Sequence, residues 1–143
     1  MEGYRTLIVD YKDYQDDIRS IRNEVFIWEQ NVPETIEFDG KDAESTFALA
    51  LAESGEAIGT GRLSQTGKIG RLAVRKTHRN TGIGTLILET LENEARNQGL
   101  EQVFLHGQVH AIDFYKKRGY LEKGQTFTEA GIEHLYMYKF FDV

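Results

Sequence analysis

The sequence predicts an α+β fold, a mixed α/β arrangement in which helices pack on a central mixed sheet, and three observations carry that expectation. Three β-prone segments separated by turn residues, FALALAE at 47–53, AIGTGRLS at 57–64 and KIGRLAV at 68–74, read as an antiparallel meander. Two other stretches repeat apolar residues at helical spacing, one through Ile18, Ile21, Val25 and Trp28 and one through Ile83, Leu86, Ile87 and Leu91. The second is followed by the β-prone string QVFLH at 102–106, so strand, helix and strand make a parallel crossover.

Taken in order, residues 4–10 (YRTLIVD) form the first strand. Asp13 then caps a helix whose first turn carries Asp16 and Asp17, carboxylates suited to the positive end of a helix dipole. Asn31-Val32-Pro33 stops that helix near Gln30, because the residue before a proline is driven out of the helical region. Ser54-Gly55-Glu56 and Gln65-Thr66-Gly67 are the meander's turns, and Gly99 closes the second helix. A short helix at 111–117, a strand at Tyr120-Leu121 and an alternating strand at 134–140 complete the chain. No repeat or low-complexity tract interrupts it and Pro33 is the only proline, so residues 1–143 read as a single domain.

Composition removes several function classes. With 40% hydrophobic and 28% charged residues in 143, the chain can bury one core, yet no apolar run approaches the roughly 20 residues a spanning helix needs, so no membrane partner is expected. The N-terminal stretch has an apolar run of only Leu7, Ile8 and Val9 before Asp10, which shows no secretory signal and makes a cytoplasmic location the expectation. The chain contains no cysteine, which excludes disulfides, thiolate metal ligands and cysteine nucleophiles. Acidic residues outnumber basic ones 23 to 17, for a net charge of −6, so no nucleic-acid partner is expected. An acidic surface suits a cationic partner, and it equally serves ordinary solubility.

The segment richest in chemistry runs from Leu72, Ala73 and Val74 through a polar loop into the long helix at Ile83. Gly82 and Gly84 lack the Cβ atoms that would hold a ligand away, and a helix start leaves backbone N–H groups without intrahelical partners. With the helix dipole and the cation of Arg79 beside them, these groups make an anion site that fits a diphosphate. A Walker loop is absent, since no glycine, four residues, then Gly-Lys-Ser/Thr occurs. A dinucleotide fingerprint needs three glycines after an early strand, and Arg-Asn-Thr-Gly-Ile-Gly supplies two after a meander. The blander reading is that Gly82 and Gly84 only permit tight helix packing and that Arg79 is surface charge.

The string from Leu72 to Gly84 resembles the acyl-CoA-binding motif of the GNAT N-acyltransferase superfamily, Arg/Gln-x-x-Gly-x-Gly/Ala, with Arg79, Gly82 and Gly84 at the matching positions. Downstream, the string from Gln108 to Tyr120 resembles the family's second motif, Asn-x-x-Ala-x-x-Phe-Tyr-x-x-x-Gly-Phe. Lys76 and Asn80 stand where many members have proline and glycine, and Gln108 replaces the usual asparagine. The strings around Ile21–Gln30, Val32-Pro33, Asp39 and Phe127–His134 are similar to small bacterial members grouped as YjcF-like.

The resemblance implies a fold in which two neighbouring parallel strands, here 69–74 and 102–106, splay apart around the pantetheine arm of acetyl-CoA, the acyl-donor cosubstrate. Backbone groups of Leu72, Ala73 and Val74 would line that arm, and the amides of Asn80, Thr81, Gly82, Ile83, Gly84 and Thr85 would hold the diphosphate. Gln108 and Phe114 would complete the cofactor site. An amine acceptor, a small molecule, would attack the thioester directly, with the Val74 N–H as oxyanion donor and Tyr115 as the acid at the departing sulfur.

Phe26, Glu29 and His134 are expected at the acceptor. Glu29, Asp39, His106, His110, Glu129 and His134 are candidates for the general base, with His110 and His134 first, because both lie in matching strings and histidine titrates in the useful range. No metal is expected: His106 and His110 straddle a strand end, and no HExxH string occurs. Family members often form a homodimer, although no stripe here requires one. Two other readings stand beside the enzyme, a non-catalytic acyl-CoA sensor and an acyltransferase of the homoserine-lactone synthase type.

Overall fold

A computed structural model describes residues 3–142 of the chain. Its elements are β1 (Arg5–Asp10), α1 (Gln15–Arg22) with a π-helical continuation (Asn23–Glu29), α2 (Glu34–Glu37), β2 (Thr46–Leu51), β3 (Ala57–Leu63), β4 (Lys68–Val74), α3 (Ile83–Asn97), β5 (Gln102–Gln108), α4 (Ile112–Lys116), β6 (Leu121–Glu129) and β7 (Ile132–Phe140). The strands form one seven-stranded sheet in the order β1-β2-β3-β4-β5-β7-β6. Every pair is antiparallel except β4 with β5, the expected crossover through α3.

Two buried clusters sandwich the sheet. On one face Ile83, Ile87, Leu88, Leu91 and Ala95 of α3 meet Ile58, Leu63, Ile69, Val103, Leu105 and Met137. On the other, Ile18, Ile21, Val25 and Phe26 meet Phe47, Leu49, Leu51 and Ala73. Helix α3 lies directly on the β3 backbone: a Cβ at Gly59 would stand 2.8 Å from Ile87 Cδ1, and one at Gly61 2.8 Å from Leu91 Cδ1. The tight helix packing therefore belongs to Gly59 and Gly61, while a Cβ at Gly84 would make only ordinary contact with Phe114, at 3.6 Å.

Three local expectations are corrected. Asp13 closes a single 3-10 turn instead of capping α1, whose N-cap position is Tyr14 without a side-chain cap bond; Asp16 and Asp17 do occupy the first turn. Trp28, expected on the buried face, is 70% exposed. From Asn23 the helix is wound as a π-helix, and its extra residue per turn slides later side chains round the axis, so Val25 and Phe26 are buried and Trp28 faces out. The strand expected at Tyr120-Leu121 extends to Glu129 and forms a hairpin with β7 through Ala130 and Gly131, both at positive φ. It is an edge strand with a mostly exposed, polar sequence, which hides it from apolar periodicity.

Candidate active site

The parallel neighbours β4 and β5 pair only at Lys68↔Phe104 and Ile69↔Leu105. Beyond that point they separate, and a cleft of about 1040 Å³ opens between them. Part of the cause is a bulge: Arg71 has φ 52°, and the β3–β4 register shifts between Thr60 and Arg62. Arg75 N–H bonds the Ile58 carbonyl of β3, so by strand alternation the N–H groups of Leu72 and Val74 point away from β3, into the gap.

Alternation also sorts the cleft into two compartments on opposite faces of the sheet. Ile69 and Leu105 join the α3 cluster, and Leu72, Val74, Phe114 and Tyr115 pack against it. Their neighbours Lys68, Phe104, His106 and Gln108 therefore face the side of α1 and α2, where the Gln108 amide donates to Gln30 Oε1 at 2.9 Å. The bulge brings Arg71 to that side too, with its Nε 3.1 Å from Glu37 Oε1.

On the α3 side, the loop after β4 ends in Gly82, the N-cap of α3, at φ 85°. A side chain there would strain the helix start, which explains glycine without any ligand. Gly84 has no such conformational need, and nothing but Phe114 crowds it. Asn80 is left-handed at φ 62°, a conformation that asparagine tolerates, so the loop keeps its shape without glycine at this place. The first N–H groups of α3 face the cleft with no intrahelical acceptor.

The charges around this loop differ from the sequence expectation. Arg79 Nε donates to the Val74 carbonyl at 2.9 Å, and its two terminal nitrogens bind both oxygens of Glu29. Those hydrogen bonds hold the Glu29 carboxyl below its ordinary range. Arg79 is thus a compensated cation that ties the π-helical segment to the loop, and Glu29, expected at the acceptor, is its partner and lies outside the cleft lining. Thr81 also stands outside that lining and donates its hydroxyl to the His78 carbonyl at 2.6 Å. Sequence reasoning missed Arg118: it donates to Thr85 Oγ1 at 2.8 Å, lies 3.8 Å over the Phe114 ring, and has no carboxylate partner among the described residues. The basic run Lys116-Lys117-Arg118 was its only signal, and nothing in that run says which member turns to the loop.

The Tyr115 ring packs edge-on against Phe114 and Tyr120, at centroid distances of 5.1 and 5.8 Å. Burial pushes its phenol up to about 12. Of the residues expected at the acceptor, Phe26 is buried at the cleft wall, and His134 is buried with Nδ1 2.7 Å from the Ile132 carbonyl. His110 is exposed on a 3-10 turn after β5, and no side chain holds its ring among the described residues. Asp39 is engaged by Arg62 at 2.9 Å and Arg71 at 3.4 Å.

Burial works against the Asp39 charge. The Arg62 hydrogen bond, the Lys41 N–H and the charges of Arg62 and Arg71 nevertheless hold its carboxyl far below the ordinary range. A carboxyl depressed on folding adds stability that is full above its unfolded value of about 3.9 and is lost as pH falls toward the folded value. Asp39→Asn is therefore expected to be destabilised at neutral pH, with the gap from the parent closing as pH drops below about 4. Thermal midpoints measured across that range check it, and parallel curves for the two proteins would refute it.

Comparison with known proteins follows the same lines. The family model described as "Acetyltransferase (GNAT) domain" matches residues 11–141. Over 139 residues the chain is 35% identical to "Uncharacterized N-acetyltransferase YjcF" of Bacillus subtilis (strain 168), covering 94% of this chain and 99% of that protein. It is 39% identical over 124 residues to "Uncharacterized protein YyaT" of the same organism, covering 83% and 84%. The crystal structure of an acyl-CoA N-acyltransferase from Pseudomonas aeruginosa superposes with a TM-score of 0.85 at 24% identity, covering 95% of this chain and 99% of that one.

Proposed function

Because the chain belongs to the GNAT acetyltransferase family, we propose that it moves the acetyl group of acetyl-CoA to the primary amine of a small molecule, by direct attack in a ternary complex. The observation that carries this reading is the gap between β4 and β5, which joins the helix-start compartment to the one facing α1 and α2. An extended arm fits such a gap, where Leu72 and Val74 offer it backbone donors as another strand would. The open N–H groups at the start of α3, the bare Cα of Gly84 and Arg118, which meets no carboxylate among the described residues, suit a diphosphate at the outer end.

In the reaction the amine nitrogen forms a bond to the thioester carbon, the C–S bond breaks, and its electron pair leaves on sulfur. The Val74 N–H is the donor for the developing oxyanion. With its phenol near 12, Tyr115 is a weaker acid than an ordinary thiol of about 8.5, so its part is to donate a hydrogen bond to the leaving sulfur and keep it from water. Tyr115→Phe removes that donor and keeps the ring packing. It is expected to lower kcat by about 100-fold while acetyl-CoA affinity stays within about twofold.

The test of the function is calorimetry with acetyl-CoA, followed by a thiol-release assay across polyamines, amino sugars and amino acids. Binding with acceptor-dependent release is the expected result. Binding without release would favour an acyl-CoA sensor, and absence of binding would remove the reading altogether.

A further inference from the structure

We infer that His106, oriented by Glu129, is the general base that takes the proton from the acceptor amine, an inference that rests on the acetyltransferase reading above. The pair is built from two elements that meet only in the folded sheet. His106 stands on β5, and Glu129 ends β6, with β7 between them; His106 Nδ1 lies 3.0 Å from Glu129 Oε2. An ionised carboxylate only accepts, so Nδ1 carries the proton and Nε2 is left with its lone pair, the form a proton acceptor needs. The ring is fixed edge-on against Phe127 at 5.0 Å and tilted against Tyr136 at 6.1 Å, and it keeps access to the cleft.

Placement supports the same role. A Cβ on Gly107 would meet Tyr115 Cδ2 at 3.3 Å, so Tyr115 covers β5 from the α3 face at the residue directly after His106. Successive residues of a strand point to opposite faces, so His106 looks out on the other one. The phenol stands on the side from which the thiol departs, and the imidazole on the side from which an amine enters. His134 shares that face, opposite Gln108, but no carboxylate bonds its ring or that of His110 among the described residues.

Of the charged and titratable groups around the pair, Glu129 from β6 and Tyr136 from β7 meet the imidazole itself, while Lys68 from β4 and His134 from β7 lie near Glu129. Burial raises Glu129, but the hydrogen bond from His106 and the charge of Lys68 bring it below the ordinary carboxylate range, so it remains an acceptor at neutral pH. Burial lowers the Lys68 ammonium, with Glu129 opposing. In the step itself, the C–N bond forms as the amine proton passes to His106 Nε2, which later returns it to water.

The test measures thiol release from acetyl-CoA against pH for the parent, His106→Gln and Glu129→Gln, using spermidine, glucosamine and lysine as acceptors, with acetyl-CoA affinity and the thermal midpoint as controls. His106→Gln is expected to lose about 100- to 1000-fold in kcat with acetyl-CoA affinity unchanged, and to lose the acid limb of its kcat/KM profile. Glu129→Gln keeps a hydrogen-bonding group but removes the charge, so its acid limb moves to lower pH with a smaller drop in kcat. A parent that turns over, with either variant keeping the parent's kcat and limb, overturns the assignment alone. A parent that binds no acetyl-CoA, or releases thiol with none of the acceptors, overturns the acetyltransferase reading and this inference with it.

Discussion

Gly84→Asp is expected to raise the stability of the protein slightly and to abolish acetyl-CoA binding. Gly84 is the second residue of α3, its φ is not positive, and a Cβ there reaches only Phe114, at 3.6 Å. Replacing a helical glycine with aspartate recovers about 0.3 kcal/mol of helix propensity. A carboxylate in a first turn that contains no acidic residue adds about 0.3 to 1 kcal/mol through the helix dipole. The same carboxylate occupies the anion site and competes for Arg118, and like charges in contact cost several kcal/mol, so the affinity falls by more than about 100-fold. Stability and binding move in opposite directions, which separates a lost site from a lost fold. Calorimetry and a thermal melt on the same sample decide it, and affinity within about threefold of the parent would refute the site.

The largest effect on stability is expected at Arg22, which is wholly buried. Its Nε lies 2.6 Å from Glu37 Oε2 and its Nη1 2.7 Å from Asp42 Oδ1, while Nη2 donates to the Glu37 carbonyl at 2.7 Å. Removing one partner from a buried ion pair costs about 3 to 5 kcal/mol, because a desolvated charge is left behind. Arg71 still faces Glu37 and Arg62 still faces Asp42, so Arg22→Ala should fall near the lower end, about 3 kcal/mol. Denaturant unfolding measures it. A loss below about 1 kcal/mol would mean that the two remaining guanidinium groups satisfy both carboxylates by themselves.

What was legible in the sequence was local. The meander, α3 and its closing Gly99 announce themselves within a few residues, because side-chain period and turn chemistry are short-range properties. Gly82, Gly84 and Tyr115 stand in contiguous motifs, and all three line the cleft. The pairings around the cleft were not readable: Arg79 meets Glu29 across 50 residues and His106 meets Glu129 across 23. No periodicity records which cation a carboxylate will find once the sheet is assembled. Arg79 read as a free cation for that reason, and Arg118, which has no carboxylate partner among the described residues, passed unnoticed. Trp28 was misplaced because the change to π-helical winding leaves the apolar spacing of its segment unaltered.

The parting of β4 and β5 gives this sheet two internal borders besides its outer ones. An outer border invites any passing strand to join it, the usual route to unwanted association. These inner borders are roofed on one side by α3 and on the other by the α1 region, so a neighbouring chain with its own side chains and sheet has no way in. Admission is decided by thickness: a guest about as slender as a single extended backbone can complete the hydrogen bonding that these borders leave open.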